Sequence, residues 1–367
     1  MKLSPKLVKW ARILLAVLGS FAIVSTLLPI IGTEHWSVRS FDYPLLQLAV
    51  FTLALLLFCI PFYDLGEIWD RVLVLLLLAC FAFQVFKIFP YTTLGKIEVL
   101  DATNNFDPTF SIYTANVQQK NDNMQGLLAD TRSFEADVLL FTETNKKWKS
   151  FLDNELVADY PYKVQVPKNN TYGMLLYSKF ELAEASVQYL VEDSIPSIHT
   201  KMFLPFKNMI QIYAIHPSPP TPLHNPKSLD RDAELIKVGR LAKNSKIPVV
   251  VMGDFNDVAW SETTQLFQKY SGLLDLRKGR GLFNTYNAKY WFVRWPLDHV
   301  FVSPHFGMVD IELGGAVGSD HFPFYTELSL EPYLAPLQEL PKPRSETLEK
   351  ANEQIKEERL DDRVRQN

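Results

Sequence analysis

The sequence predicts an α/β domain carried behind three membrane-crossing helices. Three observations predict it. Residues 1–95 are largely apolar, whereas residues 98–330 have the mixed composition of a water-soluble domain. In that second part, short apolar runs alternate with helical patterns, the mark of buried strands layered with helices. Carboxylate, amide and imidazole side chains stand directly at the ends of those runs, most clearly in Gly253-Asp254-Phe255-Asn256 and Ser319-Asp320-His321-Phe322-Pro323.

The apolar part comes first. Ile13–Ile31, Pro44–Phe62 and Val72–Pro90 each approach the roughly 20 residues that cross a bilayer core. A cleaved leader is disfavoured for the first, because no small-residue cleavage site follows it and two further spans do. Lys2, Lys6, Lys9 and Arg12 precede the first span, whereas the Gly32–Tyr43 connector holds Arg39 alone. Excess positive charge stays on the cytoplasmic side, so the N-terminus is expected inside. Arg71 in the second connector agrees, and Lys87 can extend its ammonium toward the outer interface. An odd number of spans places everything after Pro90 outside. The expectation is a multi-pass protein of a plasma membrane, the bacterial inner membrane, with the α/β domain extracytoplasmic and the lipid bilayer as its constant partner.

Charge and cysteine content narrow the classes. The chain carries a net −4, and residues 98–330 hold 22 Lys and Arg against 27 Asp and Glu, a net −5. A basic clamp on nucleic acid backbones is disfavoured, since phosphate binding leaves a cationic footprint. Cys59 and Cys80 both lie in the apolar part, so the α/β domain has neither a disulfide nor a thiolate metal site.

Along the domain, Phe110–Val117 reads as a strand, Asn121–Glu135 as a helix and Val138–Thr142 as a buried strand. Met174–Tyr177 and Met209–Ile215 are further strands, the latter followed by a loop with five prolines between Pro217 and Pro226. Ser228–Lys243 carries an apolar stripe of Leu235, Ile236, Val238 and Leu241 at helical spacing. Ile247–Met252 is a strand, and Ser261 reads as the N-cap of a helix running to about Tyr270. Leu297–Val302 and Phe324–Leu328 complete the strands. Residues 331–367 read as a proline-containing linker and a charged segment, Ser345–Arg365, that is helix-prone yet poor in apolar residues, hence solvated or partly disordered.

The candidate site gathers at strand ends, where α/β folds place their ligands. Asn116 closes the first strand, Glu143 follows the second, and His216 follows Tyr213-Ala214-Ile215. Asp254 and Asn256 follow Val249–Met252, Asp298 precedes Val300–Val302, and Asp320-His321 precede the last strand. These are the groups that hold a hard divalent cation and direct water at phosphorus. Elsewhere, His199, His224 and His305 read as surface residues, His299 as packing or substrate-side, and Asp257 and Asp275 as loop residues. Phe283–Pro296 is rich in aromatics and carries Lys289 and Arg294. It is either a hairpin packed on the core or a substrate rim. In the second case Trp291, Arg294 and Trp295 would stack a base or touch lipid.

Taken in order, Asn116, Glu143, Tyr172-Gly173-Met174-Leu175-Leu176-Tyr177-Ser178-Lys179, His216, Gly253-Asp254-Phe255-Asn256, Asp298-His299-Val300-Phe301 and Ser319-Asp320-His321-Phe322-Pro323 resemble the endonuclease/exonuclease/phosphatase superfamily over about residues 108–330. The resemblance implies a DNase I-like two-sheet α/β sandwich and metal-dependent hydrolysis of a phosphoester, with Mg²⁺ as the ion or Mn²⁺ in its place. It implies Glu143 as the principal metal ligand, with Asn116 and Asp320 beside it. Asp254 would orient or deprotonate water, and Asn256 would hold phosphate and position Asp254. His321, backed by Asp298, would donate to the phosphoryl oxygens, and His216 would protonate the leaving oxygen or bind phosphate. The implied substrate is a phosphodiester, either a lipid head group or nucleic acid. A non-catalytic binding module on the same fold is the other reading, and Thr142 departs from the Gln or Pro that often precedes the metal-binding Glu.

Overall fold

The computed structural model describes residues 4–103, 108–222 and 225–366, the last three by backbone only. It opens with helices α1 (Pro5–Leu27), α2 (Trp36–Arg39), α3 (Leu45–Cys59) and α4 (Ile68–Ile88). Pro5–Ile31 and Ile68–Tyr91 are long and apolar enough to cross a membrane. The span expected at Pro44–Phe62 is different. Its helix has 15 residues, about 22 Å, shorter than a bilayer core of about 30 Å. It counts as a span only together with Trp36–Asp42, from which it bends by 70°. Pro44 explains the break, since it cannot continue the preceding turn, and Pro61 stops the helix at the other end.

Helix α3 runs antiparallel to α1 and α4, so the three alternate in direction along the chain. At one end Arg12 pairs with Asp70 at 2.6 Å and accepts, through its carbonyl, a bond from Tyr63 at 2.8 Å. At mid-bundle Gln84 donates its amide to Thr26 at 2.7 Å and to Thr52 at 3.1 Å. Both hydroxyls donate to the carbonyls of their own helices, so their lone pairs are free to accept. One side chain thus joins three helices where apolar surroundings offer no other partner. The opposite end of the bundle meets the α/β domain.

That domain has two six-stranded sheets. The first is ordered β11–β12–β1–β2–β4–β3 and the second β5–β6–β7–β8–β10–β9. In chain order the strands are β1 (Thr109–Asn116), β2 (Val138–Thr142), β3 (Tyr162–Val166), β4 (Met174–Ser178), β5 (Leu182–Gln188), β6 (Ser197–Phe203), β7 (Met209–Ile215), β8 (Val249–Asp254), β9 (Leu274–Asp275), β10 (Asp298–Val302), β11 (Phe306–Leu313) and β12 (Phe324–Leu330). Ile112, Leu140, Leu176, Ile212, Val250 and Val300 fill the space between the sheets. The alternate residues Tyr113, Leu139 and Phe141 face outward under α5 (Met124–Phe134) and α6 (Lys146–Leu156). Tyr213, Val251 and Phe301 lie under α7 (Leu229–Asn244) and α8 (Glu262–Ser271). Burial on both faces is why these strands read as unbroken apolar runs. The chain closes with α9 (Ala335–Gln338) and α10 (Ser345–Gln366).

The C-terminal expectation needs correcting. Gln338 is buried and donates to the carbonyls of Pro304 at 2.9 Å and Phe306 at 2.8 Å. Helix α10 packs on α7 and α8 through Ala351 and Ile355, with Leu348 partly buried beside them. Three apolar residues at i, i+3 and i+7 suffice for a docked helix when the partner is already in place. His199 and His305 are half-buried rather than on the surface, each bonded to a neighbouring serine. His224 lies outside the described residues.

Candidate active site

Two parallel strand pairs lie side by side at the centres of the two sheets and deliver the candidate residues to one place. Asn116 ends β1 opposite Thr142 of β2, so Glu143 follows just beyond. Ile215 of β7 stands opposite Gly253 of β8, so His216 emerges beside Asp254. Asp298 of β10 pairs directly with Asp254. Gly253 is required for this approach, because its φ is +137° and a Cβ there would lie 2.0 Å from the Ile215 carbonyl oxygen. Glu143 and Asn256 hold left-handed backbone conformations, φ +59° and +51°, which non-glycine residues adopt at a cost and which concentrate at functional sites.

The side chains form a continuous polar chain. Asn116 Nδ2 donates to Glu143 Oε1 at 3.0 Å and to Asp254 Oδ2 at 2.9 Å, holding the two carboxylates on either side of one amide. Its Oδ1 accepts from the Gln118 amide at 2.9 Å, so both ends of the Asn116 amide are engaged. The second Glu143 oxygen accepts from the Gln119 amide at 3.1 Å. Asp254 Oδ2 also lies 3.7 Å from His216 Nε2 and 3.8 Å from His321 Nε2. His321 Nδ1 bonds Asp298 Oδ2 at 2.7 Å. Burial works against a charged His321, but Asp298 and Asp254 outweigh it, and the pKa is pushed up to about 10. Ser319 ties this loop to β1, donating to the Asn116 carbonyl at 2.7 Å and accepting from the His321 amide at 3.0 Å.

Residues 113–321 match the Endonuclease/Exonuclease/phosphatase family. The chain belongs to that family. No curated protein matches it. Among solved structures, an endonuclease/exonuclease/phosphatase from Beutenbergia cavernae DSM 12333 is similar at 18% identity and TM-score 0.51, covering 61% of this chain and 72% of that one. D. rerio TDP2, solved with a single strand DNA product, is similar at 16% identity and TM-score 0.52, covering 61% of this chain and all of that one, 100%. At these identities the likeness shows the fold, the α/β sandwich of two mixed sheets.

Enzymes of this family are generally phosphoester hydrolases that use divalent metals. Among the described residues Asp254, Asp298 and His321 form the one tight cluster of metal-capable groups, with ligand atoms within 4.8 Å of one another. In that cluster the His321 imidazole is already bonded through Nδ1 to Asp298. Glu143 fits a hard cation better. Its carboxylate is half-buried, each oxygen accepts a single N–H, and a lone pair remains on each. Asp320 is half-buried beside His321, and its carbonyl accepts from the Ala288 amide at 2.7 Å.

The remaining expectations divide. The Asn256 side chain donates to the Pro217 carbonyl at 3.0 Å, while its backbone amide donates to Asp254 Oδ1 at 2.9 Å, so it acts on Asp254 through the backbone. In the aromatic stretch, Trp291 is 81% exposed, with Tyr290 and Phe292 exposed beside it. Trp295 is instead half-buried between Tyr43 and Tyr286, with ring centroids at 5.9 and 5.7 Å. Arg294 lies over the Phe322 ring at 4.8 Å. Trp295 and Arg294 therefore pack on the protein, as the hairpin reading expects, whereas Trp291 projects outward. His299 is a packing residue, stacked on Phe255 and Phe301 and bonded to Arg277. Asp257 and Asp275 bond inside the domain, to Ser261 and to Arg277. The sequence reading gave no role to Tyr172, whose ring lies 5.3 Å from His216, or to Tyr286, which pairs with His321. Tyr172 had a signal in standing next to Gly173 in the quoted motif.

Proposed function

We propose that the protein is a membrane-held phosphodiesterase that hydrolyses a lipid phosphodiester at the bilayer surface. The observation that carries the lipid reading is the course of the aromatic loop. At one end Tyr286 bridges to His321, and the Ala288 amide bonds the Asp320 carbonyl. At the other end Gln47, in the first turn of the apolar helix α3, donates to the carbonyls of Phe292 at 3.1 Å and Arg294 at 3.2 Å. The exposed Tyr290, Trp291 and Phe292 therefore lie between the catalytic loop and the place where α3 enters the apolar layer. Aromatic rings favour that interfacial depth.

In this reading Glu143 would hold Mg²⁺ or Mn²⁺, with Asp320 as the further carboxylate, and Asn116 keeps Glu143 and Asp254 in register. The metal, when bound, neutralises phosphate charge and polarises the phosphorus–oxygen bonds. Asp254 orients the attacking water and takes its proton. His321, kept protonated by Asp298, donates to the phosphoryl oxygens as charge develops there. His216, next to Asp254, protonates the leaving oxygen. The N-terminal lysines support an inside N-terminus, and the antiparallel bundle then leaves the domain outside.

A nucleic acid substrate is the second reading. The D. rerio protein with its single strand DNA product favours it, and the net −5 of residues 98–330 weighs against it. The test uses the full chain in lipid nanodiscs, assayed on a soluble aryl phosphodiester, on phosphodiester lipids in vesicles and on single-stranded DNA, with and without a chelator. Chelator-sensitive activity that is lost in Glu143→Ala and is greatest on vesicles is the expected result. Preference for DNA would establish the second reading, and a folded protein inactive on all three would point to a binding module.

A further inference from the structure

The connector between the first two apolar helices reaches the back of the catalytic loop. Tyr43 Oη donates to the Asn256 carbonyl at 2.8 Å. Arg231 Nη1 donates to the same carbonyl at 2.9 Å and to Tyr43 Oη at 3.3 Å. Arg231 is itself fully buried and is fixed by Asp232 at 2.9 Å and Asp257 at 3.4 Å. One residue before Tyr43, the Asp42 carbonyl accepts from Trp260 Nε1 at 2.7 Å. The object of these contacts is a strained residue, since Asn256 sits at φ +51°. A non-glycine residue stays in that conformation only when its surroundings over-determine it. Its remaining bonds run to the Pro217 carbonyl and, through its own amide, to Asp254 Oδ1.

We propose that Tyr43 is a positioning residue for the reaction: by holding the Asn256 carbonyl it helps keep Asn256 in its left-handed conformation, and with it the preceding peptide unit whose amide aims the Asp254 carboxylate, making the membrane connector a working part of the active site. The inference rests on the phosphodiesterase reading for its catalytic consequence, and on geometry alone for its structural one. Arg231 holds the carbonyl from within the domain, whereas Tyr43 is the partner supplied from the membrane part. Losing the phenol leaves the guanidinium to hold the carbonyl alone and lets Asn256 relax from its left-handed torsions, which shifts the peptide unit before it as well as the one after. A small rotation matters, because a misplacement of about 1 Å at an attacking group can lower a rate by about a hundredfold.

Tyr43→Phe tests this in the full chain in nanodiscs, since the ring keeps its contact with Trp295 and only the hydroxyl is lost. Two measurements are made. Amide hydrogen exchange over residues 253–258 is expected to quicken several-fold in Tyr43→Phe. It should stay unchanged in the control Tyr63→Phe, whose hydroxyl bonds Arg12 at the far end of the bundle. On the aryl phosphodiester, kcat is expected to fall about tenfold with KM unchanged, as positioning of the nucleophile affects the chemical step. Unchanged exchange in Tyr43→Phe overturns the inference whatever the activity. Quickened exchange with kcat unchanged overturns the catalytic role. An inactive parent with quickened exchange in the variant keeps the structural link and counts against the phosphodiesterase reading instead.

Discussion

Two buried ionisable residues give the domain its sharpest single-site behaviour. Asp298 keeps His321 charged, so Asp298→Asn should cost about 10²–10³ in kcat on the aryl phosphodiester, the usual worth of one preorganised donor to developing charge. His321→Ala should cost a similar amount, and the double variant little more than either alone, because the pair acts as one unit. Glu234 is different. It is buried on α7, its Oε1 has no hydrogen-bond partner, and burial with nearby Glu192 and Asp230 pushes its pKa up to about 8, against the pull of Lys237. A folded-state pKa raised from 4.5 contributes stability that is complete below that value and is lost as pH rises through about 8. Glu234→Gln keeps the neutral form at every pH. It should melt higher than the parent at pH 9, by about 5 kcal/mol of stability at most, and nearly match it at pH 5. Thermal unfolding at the two values checks this, and an equal shift at both would remove titration as the cause. Glu143, Asp254, Asp298 and His321 were legible in the sequence because each stands at the end of an apolar run that folds as a central strand. Tyr43 and Arg231 were not, since their contacts with Asn256 close over 213 and 25 residues of chain, and no local pattern marks such a pairing.

At the level of elements, legibility followed burial. The central strands β1, β2, β7, β8 and β10 are covered on both faces and announce themselves as apolar runs. The edge strands β3 and β5 are half-exposed, with Lys163, Gln165 and Glu184 among their residues, and gave no such run. Helix α6 also escaped the sequence reading. Its evidence was an Asn145 cap and a Trp148, Leu152, Leu156 stripe, which is visible only once the flanking strand is placed. The aromatic loop combines both kinds of residue, as Trp295 anchors it against Tyr43, just before α3, and Trp291 projects outward. That division carries a prediction. Trp291→Ala should lower kcat/KM on vesicle phosphodiesters about tenfold and on the soluble aryl phosphodiester far less, because the ring contributes at the interface and not at phosphorus. Equal losses on both substrates would assign Trp291 to the reacting end of the cleft instead.

On the scale of the whole molecule, composition alone divides the chain into an apolar bundle and a soluble domain, yet the two share a core. Leu45, Ala49, Ile88 and Tyr91 from the bundle pack with Val258, Ala259, Trp260 and Leu297 from the domain. Tyr91 Oη donates to the Ala259 carbonyl at 2.7 Å, and Gln265 donates to Tyr91 in turn at 2.7 Å. The composition boundary near Ile97 therefore marks where the apolar helices end, not where a separate core begins. A fragment starting there would expose Trp260 and Val258 directly behind the catalytic loop. Burying an apolar side chain is worth about 1.5–3 kcal/mol, so several at once rival the net stability of a domain, about 5–15 kcal/mol. Such a fragment should express largely as aggregate and melt well below the full chain in nanodiscs. Any soluble fraction should show a lowered kcat on the aryl phosphodiester, since it lacks Tyr43. A fragment that is monomeric, melts like the full chain and keeps its kcat would mean that the bundle only tethers the domain. The loss is expected because the end of the bundle that meets the domain forms part of the wall against which Asn256 and Asp254 are set.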